Sequence, residues 1–188
     1  MLEGERYTKR CRRWNTPGQA HALTFSCYRN RPFLSKERTC EWLVEAIDSA
    51  RQRHVFDVWA YVFMPDHVHL VIYPTRDDYS ISRILLSIRQ PVSRKVIAYL
   101  KAHCPEGLRT MATGQRARPY HFWQKGGGYD RNITQTETLI STVRYVHDNP
   151  VRRGLVETAD AWHYSSAGDW QGTGAGPLAI DGERLPWL

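Results

Sequence analysis

Residues 55 to 74, "VFDVWAYVFMPDHVHLVIYP", constrain the fold more than any other stretch of this chain. The segment "VFDVWAYVFM" (55–64) is rich in β-branched and aromatic residues and predicts a strand. Pro65-Asp66 interrupts it and "HVHLVIYP" resumes, so the pair reads as a β-hairpin with a very short connection. Alternate side chains of a strand share a face. His67, His69, Val71 and Tyr73 therefore point one way, and Val68, Leu70 and Ile72 the other. Two imidazoles project together near the start of a strand whose other face is wholly apolar.

The remaining segments supply what this hairpin must pack against. "HALTFSCY" (21–28) predicts a strand. The following "KERTCEWLVEAIDSARQR" repeats apolar residues at Trp42, Leu43, Ala46, Ile47 and Ala50, a helical period with Ser35 as candidate N-cap. "SISRILLSIRQPVSRKVIAYLKAH" (80–103) predicts a helix with a basic polar face, kinked or divided at Pro91. Residues 108–133 are loop-rich, basic and aromatic, and the glycines at 126–128 mark a sharp bend or a close approach. A helix is predicted over 134–149, capped by Thr134 with Glu137 three residues on, with Leu139, Val143 and Val146 on one side and Pro150 as its boundary. The order β, α, β-β, α, β, α predicts an α+β domain: a central antiparallel sheet of four to five strands with helices against one face. Residues 1–171 are expected to form this single domain, with 1–14 as a basic arm and 172–188 as a Gly-rich, extended tail.

At 188 residues the chain holds one domain with a real core, and 41% hydrophobic with 24% charged residues is an ordinary globular balance. The apolar runs are too short to span a bilayer, and the N-terminus lacks the apolar core of a signal peptide. A soluble cytoplasmic protein without a membrane partner is the expectation. Cys11, Cys27, Cys40 and Cys104 are irregularly spaced, which gives neither a zinc knuckle nor a disulfide framework. The net charge of +7 is unevenly spread: residues 157–188 carry −4, so the first 156 carry +11. A basic body of that size suits a polyanion, whose condensed counterions are released on binding.

Two neutral imidazoles can share one divalent ion but do not complete its site. The bland reading of His67 and His69 is a half-exposed strand with local hydrogen bonds. Along "RYVHDN" (144–149), Tyr145 and Asn149 stand one helical turn apart on a single face. Set against the histidine face, that stripe supplies a phenol and an amide oxygen. A phenol with a free pKa near ~10 needs activation to act as a nucleophile. Metal, phenolate and phosphodiester together make a transesterification. Taken alone, Tyr145 reads equally as a core aromatic of an amphipathic helix.

"YVFMPDHVHLVI", "HFWQKGGGYDRNI", "YVHDNPVRRGLV" and "WHYSSA", in that order, resemble the REP-associated tyrosine transposases, single-tyrosine endonucleases of the HUH superfamily. The resemblance runs from "HALTFSCY" to "WHYSSAGDW" and implies a ferredoxin-like architecture. It implies that His67 and His69 bind a divalent ion, Mg²⁺ or Mn²⁺, with Asn149 as candidate third ligand and Tyr145 as nucleophile. The implied activity is cleavage of single-stranded DNA beside an imperfect palindromic hairpin, leaving a 5′-phosphotyrosyl link and a free 3′-hydroxyl.

Candidate DNA contacts are Arg10, Arg12, Arg13 and Trp14 of the basic arm, Arg116 and Arg118 beside the aromatic run 120–123, and Arg152 and Arg153 after the tyrosine helix. A solvated basic arm and core aromatics are the competing readings. The acidic C-terminal stretch is a candidate cover for the basic site, and a monomer is expected over a homodimer. Two other functions compete: a domesticated protein that binds DNA hairpins without cutting them, and a metal-dependent hydrolase or nucleotide-binding histidine-triad protein. The triad pattern needs a third alternating histidine where Val71 stands, and no Gly-Lys-Ser/Thr follows the glycines to make a P-loop.

Overall fold

The computed structural model describes residues 13–185, so Arg10 and Arg12 lie outside the described residues. The hairpin forms where the sequence puts it. β1 (Ala20–Ser26) is followed by α1 (Glu37–His54), and then β2 (Phe56–Phe63) pairs antiparallel with β3 (His67–Pro74). Met64 N–H donates to the carbonyl of His67 at 2.8 Å and closes the turn. After α2 (Ile81–His103), β4 (Tyr129–Ile133) completes a sheet of order β2-β3-β1-β4 with every pairing antiparallel. β3 lies between β1 and β2, and β1 lies between β3 and β4. These are two interleaved split β-α-β units, the ferredoxin-like form of an α+β fold.

Two hydrophobic layers sandwich the sheet. Leu43, Ile47 and Ala50 of α1 and Ile84, Ile88 and Val92 of α2 cover Leu23, Phe25, Val68, Leu70 and Ile72. The sequence led us to expect helices against one face, and α3 (Thr136–His147) departs from that. Its Leu139, Val143 and Val146 cover Trp59, Val62, Met64 and Val71 on the opposite face. A bulge in β2 turns both Trp59 and Ala60 toward this second layer, where Trp59 stacks on Tyr73 with centroids 4.8 Å apart.

Helix ends follow the sequence in part. Ser80 caps α2 by accepting from Arg83 N–H, and the helix continues through Pro91. α1 starts after Lys36 and α3 after Gln135, neither with a side-chain cap, so Ser35 and Thr134 do not serve as expected. The helix expected over 134–149 is two helices. α3 stops at His147, and α4 (Asn149–Arg152) takes Pro150 into its first turn, where the missing N–H is not needed.

Beyond α4 the chain returns along the outer side of β2. Tyr164 C=O accepts from Phe63 N–H at 2.9 Å, and Ser166 N–H donates to the Tyr61 carbonyl at 3.1 Å. After α5 (Ala167–Gln171), Asp181 N–H donates to the Val58 carbonyl while its carboxylate accepts from Val58 N–H. Leu178, 2% exposed, enters the α1–α2 layer. The described part of the Gly-rich stretch thus covers a strand edge. Among the described residues no helix is long and apolar enough to cross a membrane.

Candidate active site

Strand register sets the histidine pair. Ser26 and Thr24 of β1 stand opposite His67 and His69. Both imidazoles are only 8% exposed, their ring planes are nearly perpendicular, and their Nε2 atoms lie 3.1 Å apart. Each remaining ring nitrogen is held: His67 Nδ1 meets the Asp66 carboxylate at 2.7 Å, and His69 Nδ1 meets Thr24 Oγ1 at 2.8 Å. In a neutral imidazole, a carboxylate acceptor at Nδ1 favours the tautomer whose Nε2 keeps its lone pair. Two nitrogens at right angles, each about 2.1 Å from one ion, would stand about 3 Å apart, so the observed spacing suits shared ligation.

Asn149 is buried beside the pair. Its amide nitrogen donates to the Tyr145 carbonyl at 2.7 Å, and the same amide hydrogen-bonds the His69 ring. Among the described residues no group of three His, Cys, Asp or Glu is placed to hold a metal. The Asn149 amide, 7% exposed, is the further polar group beside the two imidazoles. Burial first, then the nearby His67 and Arg153, push His69 down to about 4, so it is neutral near pH 7. Burial would raise Asp66, but the hydrogen bond with His67 and the charges of His67 and Arg153 outweigh it and hold the carboxyl below its usual range.

Tyr145 presents its ring edge-to-face with His69, centroids 5.7 Å apart, and is 48% exposed. The Arg152 guanidinium sits 5.1 Å from the Tyr145 ring centre, and Arg153 reaches the Asp66 carboxylate at 3.5 Å. Tyr145 and His69 open onto a cleft of about 580 Å³ that also includes Thr24, Tyr129, Arg131 and Thr142. Six of the residues singled out in the sequence, His67, His69, Tyr145, Asn149, Arg152 and Arg153, therefore meet in one place. The tyrosine helix is fixed from behind: His147 turns inward and its Nε2 lies 2.8 Å from Ser166 Oγ, which also accepts from Tyr61 N–H at 2.9 Å. Burial pushes His147 down to about 4.

The other candidates lie elsewhere. Arg13 is engaged inside the protein, ion-paired with Asp130 at 3.3 Å and donating to the Gly127 carbonyl. Asp130 also meets His21 Nδ1 at 2.8 Å. Trp14 is exposed, and its carbonyl accepts from Asn132. Arg116 stands on an exposed loop. Arg118 lines a second groove, about 590 Å³, with Arg94, Lys125, Tyr120 and His121 against α2. Phe122 and Trp123 are core residues. Arg89 donates to the carbonyls of Gln124 and Gly126, so two arginines grip the glycine run. Gly128, at φ +71°, passes so close to the Thr24 carbonyl that a Cβ would collide with it. Neither groove is lined by the described part of the C-terminal stretch.

Sequence reasoning missed Thr24 and Asp66, and it singled out Ser166 only within the "WHYSSA" motif, without its tie to His147. Asp66 adjoins His67 and was readable as its partner. Thr24 and Ser166 depend on which strands become neighbours, which no local pattern encodes.

Comparison with known proteins bears on the family and the fold. A REP-associated tyrosine transposase of Haemophilus influenzae is 28% identical over 144 residues, covering 70% of this chain and 74% of that protein. The solved structure of a REP-associated tyrosine transposase bound to a REP hairpin superposes with a TM-score of 0.69 at 20% identity, covering 93% of each chain. That likeness shows the fold. The family described as "Transposase IS200 like" matches residues 16–149, which span the histidine pair, Tyr145 and Asn149, and the chain belongs to that family of transposases.

Proposed function

We propose that this protein is a metal-dependent single-stranded DNA endonuclease and strand transferase that acts at palindromic, REP-type hairpins through a 5′-phosphotyrosine intermediate. The observation that carries the reading is the meeting of a half-exposed phenol with two buried imidazoles whose Nε2 atoms converge at 3.1 Å. His67, His69 and the Asn149 amide oxygen would hold the ion, Mg²⁺ or Mn²⁺. When bound, that ion supplies Lewis-acid polarisation of a phosphate oxygen.

The chain's own residues do the rest. Thr24 and Asp66 hold the two imidazoles in the orientation in which their Nε2 atoms converge. Tyr145 attacks the phosphorus: the phenolic oxygen–phosphorus bond forms and the bond to the 3′ oxygen breaks. The phenolic proton passes to water at the exposed hydroxyl, and the departing 3′ oxygen takes up a proton to become a 3′-hydroxyl. The reaction is reversible without a nucleotide cofactor because one phosphodiester replaces another. The Arg152 guanidinium, 5.1 Å from the Tyr145 ring centre, would supply a cation for the phosphate that Tyr145 attacks.

A denaturing gel of the protein mixed with a labelled single-stranded hairpin and Mn²⁺ tests this. The expected result is a covalent protein–DNA band that disappears in Tyr145→Phe while hairpin binding persists. Binding without any adduct in the unmodified protein would instead support the hairpin-binding alternative.

A further inference from the structure

The cleft beside Tyr145 has parts that the chemistry above leaves idle. Strand register puts His69, Thr24 and Tyr129 in one row across the sheet and Val71, Ala22 and Arg131 in the next. All six face the α3 side, as Ala20 and Ile133 at the end of the same strands do. α3 lies over β2 and β3, so β1 and β4 leave part of this face open. The result is a trough. Its floor is small, Ala22 and Thr24, one wall is Thr142 and Tyr145 of α3, and the outer rail is Tyr129 and Arg131 of β4.

The rail is unexplained by packing. Tyr129 is 57% exposed, and among the described residues its side chain has no ring or hydrogen-bond partner. Arg131 is exposed and makes no ion pair among the described residues. Neither residue stabilises the sheet in any visible way, yet both stand on the face that carries the reactive groups. Two strand spacings separate Tyr129 from His69, about 10 Å. A strand whose phosphate lies at Tyr145 would cross Thr24 and reach this rail with its neighbouring nucleotide.

We propose that Tyr129 and Arg131 recognise the unpaired nucleotide adjoining the cleaved phosphate, the tyrosine ring stacking on its base and the guanidinium pairing with its backbone phosphate. Aromatic stacking and a nearby cation are the two groups that unpaired strands require, and a floor of small side chains lets the strand lie close to the sheet. The inference rests on the reading of this cleft as the cleavage site.

The test uses the full chain and fluorescein-labelled single strands carrying an imperfect palindromic hairpin with random unpaired flanks. Binding is read by anisotropy at several salt concentrations, and adduct formation by denaturing gel. Tyr129→Ala is expected to weaken binding about tenfold, as loss of one stacked base does, while Tyr129→Phe retains it. Arg131→Ala should reduce the slope of log affinity against log salt by about one, the mark of one lost phosphate contact. Trimming the unpaired flanks from the hairpin should erase the difference between Tyr129→Ala and the unmodified protein. If Tyr129→Ala binds and reacts like the unmodified protein, the rail is overturned while the nuclease reading stands. If Tyr129→Ala loses flank-dependent binding but the unmodified protein forms no adduct, the rail stands as a contact to the unpaired flank, and the nuclease reading falls together with the rail's place beside a cleaved phosphate. Absence of binding by the unmodified protein overturns both.

Discussion

Asp66 and Thr24 do for the two imidazoles what the imidazoles cannot do for themselves. Each occupies one ring nitrogen, at 2.7 Å and 2.8 Å, and so decides where the other nitrogen points. Partners of this kind contribute about 10–100-fold to metal affinity. Asp66→Asn and Thr24→Val are therefore each expected to weaken Mn²⁺ binding by about 10–100-fold in titration calorimetry without DNA, with the thermal unfolding of the protein little changed. Strand alternation and helical spacing, both local rules, put His67 with His69 and Tyr145 with Asn149 on shared faces, and the resemblance implied that the two pairs form one site. Their partners on other strands were not legible. Thr24 reaches His69 only through the pairing of β1 with β3, and Arg13 proved to be tied to Asp130 rather than exposed on a free arm.

At the scale of elements, what matters is how α3 is fastened. Its apolar stripe rests on the sheet, and its last turn is tied to the outer side of β2 through His147 and Ser166. Ser166→Ala would leave the His147 imidazole and the Tyr61 N–H buried without their partner. Each such loss costs about 1–3 kcal/mol, so a clear fall in the urea midpoint is expected. Slower adduct formation at saturating DNA should accompany it, because Tyr145 is carried by the same helix. The helices themselves were largely readable from apolar periodicity, but their ends were not. Ser35 and Thr134 are good capping residues that the structure leaves unused, and Pro150 opens a short second helix instead of bounding a long one. Propensity ranks the options at a helix end, and tertiary packing chooses among them.

For the whole molecule, the order of strands and helices was legible and the layering was not: nothing local in the sequence says that α3 crosses to the face opposite α1 and α2. The C-terminal stretch behaves similarly. Its glycines and acids suggested a tail over the basic site, yet Leu178 and Asp181 bind it to β2 and the α1–α2 layer. Deleting residues 172–188 removes a buried leucine, a contribution of roughly 1.5–3 kcal/mol, and bares part of a strand edge. The expected outcome is a lower melting temperature and concentration-dependent self-association in light scattering, with hairpin affinity in the remaining folded protein unchanged. The contrast between a dry imidazole pair, 8% exposed, and a phenol 48% open to water has one last implication. A severed end attached to that hydroxyl would be moored at the rim, like a rope on a quay: secured to the protein, and still free to be picked up by another passing strand without the domain having to unfold around it.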